Sequence, residues 1–277
     1  MVLLDCKPVR EQILDEVRNS GFKDLKFVIV RVGEDPASEV YIRNKVKTAE
    51  SVGIATEVVK CTDNISVHDL KEIMKRIVKD PSVTGVILQL PLPEHLKPHE
   101  REIIDIIPPD MDVDGLTTGN IARLWTGKPG IVPATPGGIM RLFKDDLSGY
   151  NVVIVNRSKL VGEPLIKLLL NRNATVTVCH SKTENIEEKL SSADIVITAI
   201  GKPKYFGRTV SISRTSVQMW IDVGINRDEN GKLCGDIDPD SIRYHNSFVT
   251  PVPGGVGILT TAQLMYNVVQ ARILQGG

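Results

Sequence analysis

Tyr41 and Lys45 lie four residues apart in Val40-Tyr41-Ile42-Arg43-Asn44-Lys45. Asp35, Pro36 and Gly53 frame this run as one helix: a capping carboxylate, a proline suited to the first helical position and a glycine suited to a left-handed stop. At helical spacing the ring and the amine share a face, with Thr48 and Ala49 roughly beneath them and Ile42 and Val46 on a neighbouring stripe. A lysine amine transfers protons if desolvation lowers its pKa. On spacing alone a solvated lysine beside a half-buried tyrosine is the better reading, and the surrounding residues must decide between the two.

Other residues could share in such chemistry. Gln89 precedes Leu90-Pro91-Leu92-Pro93, which places a neutral amide at the carboxyl end of an apolar strand, where open α/β sheets bind ligands; a glutamine bonded to its own loop is the alternative. Asp112-Val113-Asp114-Gly115-Leu116 offers two carboxylates in a turn, or only a surface turn. Val155-Asn156-Arg157-Ser158-Lys159-Leu160-Val161-Gly162-Glu163-Pro164 follows a strand and opens a helix, the place where backbone N–H groups receive phosphate, although it is not GxGxxG. The next strand ends in Cys179-His180-Ser181-Lys182-Thr183, without the acid that would meet an NAD ribose. Arg157, Ser181 and Lys182 could instead hold a 2'-phosphate, so the pattern leans to NADP over NAD, against a reading of solvated loops. Thr250-Pro251-Val252-Pro253-Gly254-Gly255-Val256-Gly257 combines stiff prolines with glycines that admit close approach of a ligand. Gly224-Ile225-Asn226 and Gly235-Asp236-Ile237 read as weaker strand-end turns.

These residues need a scaffold, and strands alternating with helices supply one. A helix over 8–19, a strand over 25–32, the Tyr41 helix, a strand over 55–61, a helix from Ser66 with a capping-box-like Asp69, and a strand over 85–90 form a first α/β series. Prolines at 91, 93, 98, 108, 109, 129, 133 and 136 mark an interdomain stretch. A second series follows: strands over 151–155, 175–179, 194–199, 219–223 and 248–250, a helix over 162–170 and a last helix over 260–274. The fold class is α/β with two domains, 1–135 plus 256–277 and 136–255.

Composition narrows the function classes. The 277 residues are 42% hydrophobic and 25% charged, with 34 basic and 34 acidic residues, so no net field attracts nucleic acid or an anionic membrane. The start lacks a signal-like segment and no apolar run is long enough to span a bilayer, which predicts a cytoplasmic protein. Cys6, Cys61, Cys179 and Cys234 form no CxxC pair, and the histidines at 68, 95, 99, 180 and 245 have no ligand spacing with them, so reduced thiols and no metal are expected.

In order and spacing, Tyr41-x-x-x-Lys45, Gln89-Leu-Pro-Leu-Pro93, Asp112-Val-Asp-Gly-Leu116, Arg157-Ser-x-x-Val-Gly162-x-Pro164 and Pro251-Val-Pro-Gly-Gly-Val-Gly257 closely resemble the bifunctional methylenetetrahydrofolate dehydrogenase/methenyltetrahydrofolate cyclohydrolase family. The resemblance implies an N-terminal catalytic domain completed by the final helix, facing a Rossmann-like NADP domain across a cleft, in a homodimer. It implies oxidation of 5,10-methylenetetrahydrofolate to the methenyl form with NADP, then hydrolysis to 10-formyltetrahydrofolate. Lys45, Gln89, Tyr41 and Asp114 are the implied catalytic set, with Lys45 oriented by Gln89. Tyr41, Asp114, Pro253, Gly254 and Gly255 are the implied folate contacts, and Asn156, Arg157, Ser158, Ser181, Thr198 and Ile225 the implied cofactor contacts. Asn156 stands where the family usually has glycine, Ala134 for cysteine, Cys6 for glycine and Ile258 for proline. Asn156 is the departure that bears on function, because a side chain beside the pyrophosphate would alter cofactor binding.

Two rivals share parts of this pattern. Tyr-x-x-x-Lys also marks short-chain dehydrogenases, but there the nucleotide loop comes first and the Tyr-Lys pair far downstream, the reverse of the order here. A non-catalytic folate or nucleotide binder would be recognised by loss of Lys45 or Gln89, and both are present.

Overall fold

The computed structural model describes residues 2–208, 218–240 and 247–276. In chain order its elements begin with β1 (Val2–Leu3), α1 (Lys7–Arg18), β2 (Lys26–Val32), α2 (Pro36–Ser51), β3 (Ala55–Cys61), α3 (Val67–Val78), β4 (Gly85–Leu88), α4 (Glu100–Ile104), α5 (Thr118–Thr126) and α6 (Ala134–Met140). They continue with β5 (Asn151–Val155), α7 (Gly162–Leu170), β6 (Thr175–Cys179), α8 (Ile186–Ser192), β7 (Ile195–Thr198), α9 (Tyr205–Arg208), β8 (Met219–Asp222), β9 (Asn226–Arg227), β10 (Leu233–Cys234), β11 (Phe248–Val249) and α10 (Val256–Leu274).

The chain divides into two compact units, one of Met1–Glu11 with Thr135–Thr260 and one of Gln12–Ala134 with Thr261–Gly277. The sequence divides it at 1–135 plus 256–277 and 136–255; the contacts group the first residues with the later unit, because β1 pairs in parallel with β11.

In the unit of Gln12–Ala134, β2 is the middle of a parallel sheet ordered β3-β2-β4. Six of the seven β2 residues are buried, Arg31 among them, as in a parallel strand covered on both faces. Leu70, Met74 and Ile77 of α3 pack with Val28, Val30, Val86 and Leu88 of the sheet. Ser66 caps that helix, accepting the Asp69 N–H at 3.0 Å, and its hydroxyl donates to the Asp69 carboxylate at 2.7 Å. The proline-rich stretch carries α4 and α5, and its backbone is tied to the sheet, since Val86 N–H donates to Met111 C=O at 2.8 Å.

Asn267 of α10, 1% exposed, pins the acidic turn from inside this unit. Its amide donates to the carbonyls of Val113 at 2.8 Å and Val132 at 2.9 Å, and accepts from Gln263. A buried amide with both ends bonded fixes the position of what it holds.

The other unit contains a parallel sheet ordered β1-β11-β8-β7-β5-β6. From β5 the chain moves to β6 on one side, then to β7 and β8 on the other, so the order reverses between β5 and β7. Such a switch point opens a crevice at the carboxyl ends of the strands. α10 starts one turn before the expected 260: Gly257 sits in its first turn, where backbone N–H groups have no intrahelical partner to lose. No described helix is long and apolar enough to cross a membrane.

Candidate active site

Helix α2 begins where Asp35 accepts the Ser38 N–H at 2.7 Å, and Gly53 adopts φ +78° just beyond its end. Ile42 and Ala49 are buried, which turns the face carrying Lys45 in a fixed direction; Lys45 is half-buried and Tyr41 is 41% exposed. The Lys45 ammonium donates to Gln89 Oε1 at 2.9 Å.

Gln89 is placed by the sheet. Its N–H continues the β2–β4 ladder by donating to Val30 C=O at 2.8 Å, and its Nε2 donates to Leu90 C=O at 2.7 Å. The loop bond and the Lys45 bond therefore coexist: the first occupies the amide's donor end and leaves the oxygen for Lys45. The Leu90-Pro91 peptide is cis, as is Val252-Pro253.

The two aspartates of the acidic turn separate into different roles. Asp112, 1% exposed, accepts the N–H groups of Gly115 at 2.9 Å and Thr117 at 2.8 Å and the Asn120 amide at 3.0 Å. Gly115 completes the turn at φ +73°, where a Cβ would lie 2.6 Å from the Pro133 nitrogen. Asp114 lies near enough to Lys45 for their charges to interact. Desolvation pulls the Lys45 pKa down while the Asp114 charge opposes the shift; desolvation pushes Asp114 up, with Lys45 opposing and Asp112 adding to the rise. A desolvated amine thus bonds to a neutral amide and feels the charge of a carboxylate, a setting for proton transfer.

The expected cofactor residues gather at the carboxyl edge of the larger sheet. One row of paired residues, Cys179, Val155, Thr198 and Asp222, crosses the ends of β6, β5, β7 and β8. Arg157 and Ser181, both exposed, each stand two residues beyond the paired Val155 and Cys179, at the ends of adjacent strands. The turn after β6 is closed by His180 N–H to Thr183 Oγ1 at 2.8 Å, leaving Ser181 and Lys182 outward. Thr198 Oγ1 is buried without a hydrogen-bond partner among the described residues, and Ile225 is 46% exposed.

Asn156 lies at the switch point, with its amide turned into its own loop. Oδ1 accepts Ser158 N–H at 2.7 Å and Gly162 N–H at 3.0 Å, and Nδ2 donates to Ala199 C=O on the far side of the crevice. Ser158 Oγ accepts Val161 N–H at 3.2 Å. Gly162 approaches so closely that a Cβ would lie 2.4 Å from Asn156 C=O. The N–H groups of Ser158, Val161 and Gly162 are thereby bonded within the protein.

In the 250–257 loop, Thr250 Oγ1 accepts Asp222 N–H at 2.8 Å, Pro253 is exposed, Gly254 takes φ +97°, and a Cβ on Gly255 would lie 2.3 Å from Pro251 C=O. This loop belongs to the unit of the larger sheet, whereas Lys45, Gln89, Tyr41 and Asp114 belong to the other.

Residues 4–114 match the model of the tetrahydrofolate dehydrogenase/cyclohydrolase catalytic domain, and residues 133–275 match that of the NAD(P)-binding domain of the same family. The chain belongs to the tetrahydrofolate dehydrogenase/cyclohydrolase family. The bifunctional protein FolD of Streptococcus pneumoniae is 43% identical over 249 residues, covering 89% of this chain and 86% of its own. The bifunctional enzyme FolD of Campylobacter jejuni superposes with a TM-score of 0.91 at 35% identity, covering 99% of each chain. The methylenetetrahydrofolate dehydrogenase-cyclohydrolase of Trypanosoma brucei, solved with NADP cofactor and inhibitor, gives 0.85 at 28% identity over 99% of this chain and 98% of that one.

Sequence reasoning within this family pattern did not single out Asn267 as the residue that holds the acidic turn. Its signal was present as an amide pair four residues apart, Gln263 and Asn267, in a mostly apolar helix. Among the described residues no group of three or more His, Cys, Asp or Glu is arranged for a metal ion, and His245 lies outside them. The four cysteines are buried and none forms a disulfide among the described residues.

The neutral partner of Lys45 makes a pH prediction. Deprotonated amine accumulates as pH rises through the Lys45 pKa, which burial holds below the usual lysine value of 10.5. Gln89→Glu would put a negative charge against the ammonium, favour it, and raise that pKa. The ascending limb of the cyclohydrolase pH profile should therefore move to higher pH in Gln89→Glu; an unchanged limb, or one moved down, would show that Lys45 does not supply the titrating group.

Proposed function

We propose that this chain oxidises 5,10-methylenetetrahydrofolate to 5,10-methenyltetrahydrofolate with NADP and hydrolyses the product to 10-formyltetrahydrofolate, using Lys45 as the proton-transferring group. The observation that carries this reading is the bond from Lys45 to Gln89 Oε1, 2.9 Å long, with the lysine pKa lowered by burial. When bound, NADP accepts the hydride lost from the methylene carbon. That carbon is flanked by two nitrogens that stabilise the cation, so this step needs positioning above all. Hydrolysis differs: water adds to the methenyl carbon, loses a proton, and a ring nitrogen must regain one as the ring opens. Lys45, whose pKa burial lowers, exchanges those protons, and Gln89 aims it without stabilising the ammonium as a carboxylate would. Tyr41 flanks the folate rings and Asp114 binds their polar edge. Pro253, Gly254 and Gly255 form a stiff backbone contact for the substrate.

NADP is held by the unit of the larger sheet, with Arg157 and Ser181 at the 2'-phosphate, Ser158 in the loop of α7, and Thr198 and Ile225 at the neighbouring strand ends. The residues fit that group: the end of β6 carries no acid, and the exposed Arg157 and Ser181 stand in matching register. The NADP in the Trypanosoma brucei relative supports the same choice over NAD. Asn156 braces this loop from within. The folate chemistry is assigned to Gln12–Ala134 with the later part of α10, and cofactor binding to the unit of Thr135–Thr260. The family resemblance supports a cytoplasmic homodimer that takes a folate and engages neither nucleic acid nor membrane; a single-chain mass in analytical ultracentrifugation would overturn the dimer.

Lys45→Met removes the amine while keeping the aliphatic stem. It should lower cyclohydrolase turnover by roughly a hundredfold or more and leave measurable dehydrogenase turnover, followed spectrophotometrically as methenyl formation and decay. Wild-type cyclohydrolase rates would sink the assignment. Arg157→Ala should raise the KM for NADP by about tenfold, the loss expected for one charge-assisted contact, and leave the KM for NAD nearly unchanged. Equal effects on the two cofactors would refute the 2'-phosphate role.

A further inference from the structure

Behind the carboxyl edge of the larger sheet lie two carboxylates that the reaction does not use. Asp236 is fully buried and Asp222 is 3% exposed. Asp222 accepts three backbone N–H groups, from Gly224 at 3.0 Å, Asp236 at 3.0 Å and Ile237 at 2.9 Å, and so fixes the backbone of the segment that carries Asp236. Asp236 in turn accepts from two other loops. Its Oδ2 takes Ile200 N–H at 2.7 Å; its Oδ1 takes Lys202 N–H at 2.9 Å and Asn226 Nδ2 at 2.9 Å.

These loops begin at Thr198 and Asp222, in the row of strand ends that carries the cofactor site. The first starts beside Ala199, whose carbonyl receives the Asn156 amide, and the second contains Ile225. The packing leaves no room for substitutes: a Cβ on Gly224 would lie 2.3 Å from Asp236 Oδ1, and one on Gly235 would lie 1.8 Å from Asp222 Oδ2. Backbone bonds from Lys204 N–H to Gly235 C=O and from Phe206 N–H to Asp236 C=O, both 2.9 Å, close the segment around the same point.

We propose that Asp236 is a positioning residue for the dinucleotide: its carboxylate ties the loop of residues 199–202 to the loop of residues 224–226 and so sets the shape of the cofactor crevice. It touches no reacting atom. A carboxylate suits this task because both oxygens accept, and three converging N–H donors from separate segments need an acceptor-only group. An amide of the same size would turn an N–H2 toward one of those donors. The inference rests on the cofactor site being at these strand ends.

The two activities of the chain provide the test, because hydrolysis of supplied methenyltetrahydrofolate consumes no cofactor. Asp236→Asn should raise the KM for NADP by about tenfold or more while cyclohydrolase turnover, measured without NADP, stays within about twofold of wild type. An unchanged KM for NADP overturns the proposal, and so does a parallel fall of both activities, which a merely structural role would produce. Asn226→Ala removes one donor and leaves the backbone bonds in place; it should move the same KM in the same direction by less, and it decides the matter if Asp236→Asn yields no folded protein. Arg157→Ala separates the two readings. If it raises the KM and Asp236→Asn does not, only the role of Asp236 falls; if neither does, the cofactor site is elsewhere.

Discussion

The hydrogen bond from Lys45 to Gln89 couples a helix to a sheet through a group with no charge. A carboxylate in the same place would hold the ammonium more strongly and keep it protonated; an apolar residue would leave it unaimed and desolvated. A neutral amide permits orientation without fixing the protonation state. Everything around it serves that condition. The Val30 ladder bond and the Leu90 carbonyl orient the amide, Ile42 and Ala49 orient the helix, and Asp114 supplies an opposing charge that limits how far the amine is displaced from its usual pKa.

Both units place their chemistry by one constraint. In a parallel sheet every strand runs the same way, so strand ends with their loops collect along one edge, and residues of unrelated sequence position become neighbours through register. Gln89 follows β4 in this way. Arg157, Ser181 and Ile225 follow β5, β6 and β8 in the same way. The supports are buried acceptors: Asp112 in one unit, Asp222 and Asp236 in the other, each filled by N–H groups of the turn it shapes. An acidic residue in a turn can thus be a scaffold or a reagent, and which it is depends on whether its oxygens are already occupied.

That ambiguity bounds what the sequence could reveal. Helix α2 was legible because Asp35 and Gly53 punctuate it, and β3, β5, β6 and α7 were legible because apolar runs of the right length lie between clear breaks. β1, β9 and β10 are two residues each and carry no periodicity; β1 forms because Val2 and Leu3 find β11, some 246 residues away. Asp112 and Asp114 are the same residue type in one turn, and only three-dimensional partners distinguish them. The Lys45–Gln89 pairing could be expected from family resemblance but not from spacing, since 44 residues separate the two. Asn156 was legible as a departure. Its use was not, because the carbonyl of Ala199 is 43 positions distant.

Asn156 also changes the thermodynamics of the cofactor loop. In many nucleotide-binding proteins the loop after the first strand has idle N–H groups that a phosphate organises on arrival, so part of the binding free energy is consumed in ordering the loop. Here an amide oxygen already occupies two of those donors and an amide nitrogen spans the crevice to Ala199. The ordering of these donors is completed during folding, and Arg157 stands exposed beside them. A loop whose donors are already bonded has less order left to acquire when a ligand arrives, so less of the binding free energy is consumed in arranging it.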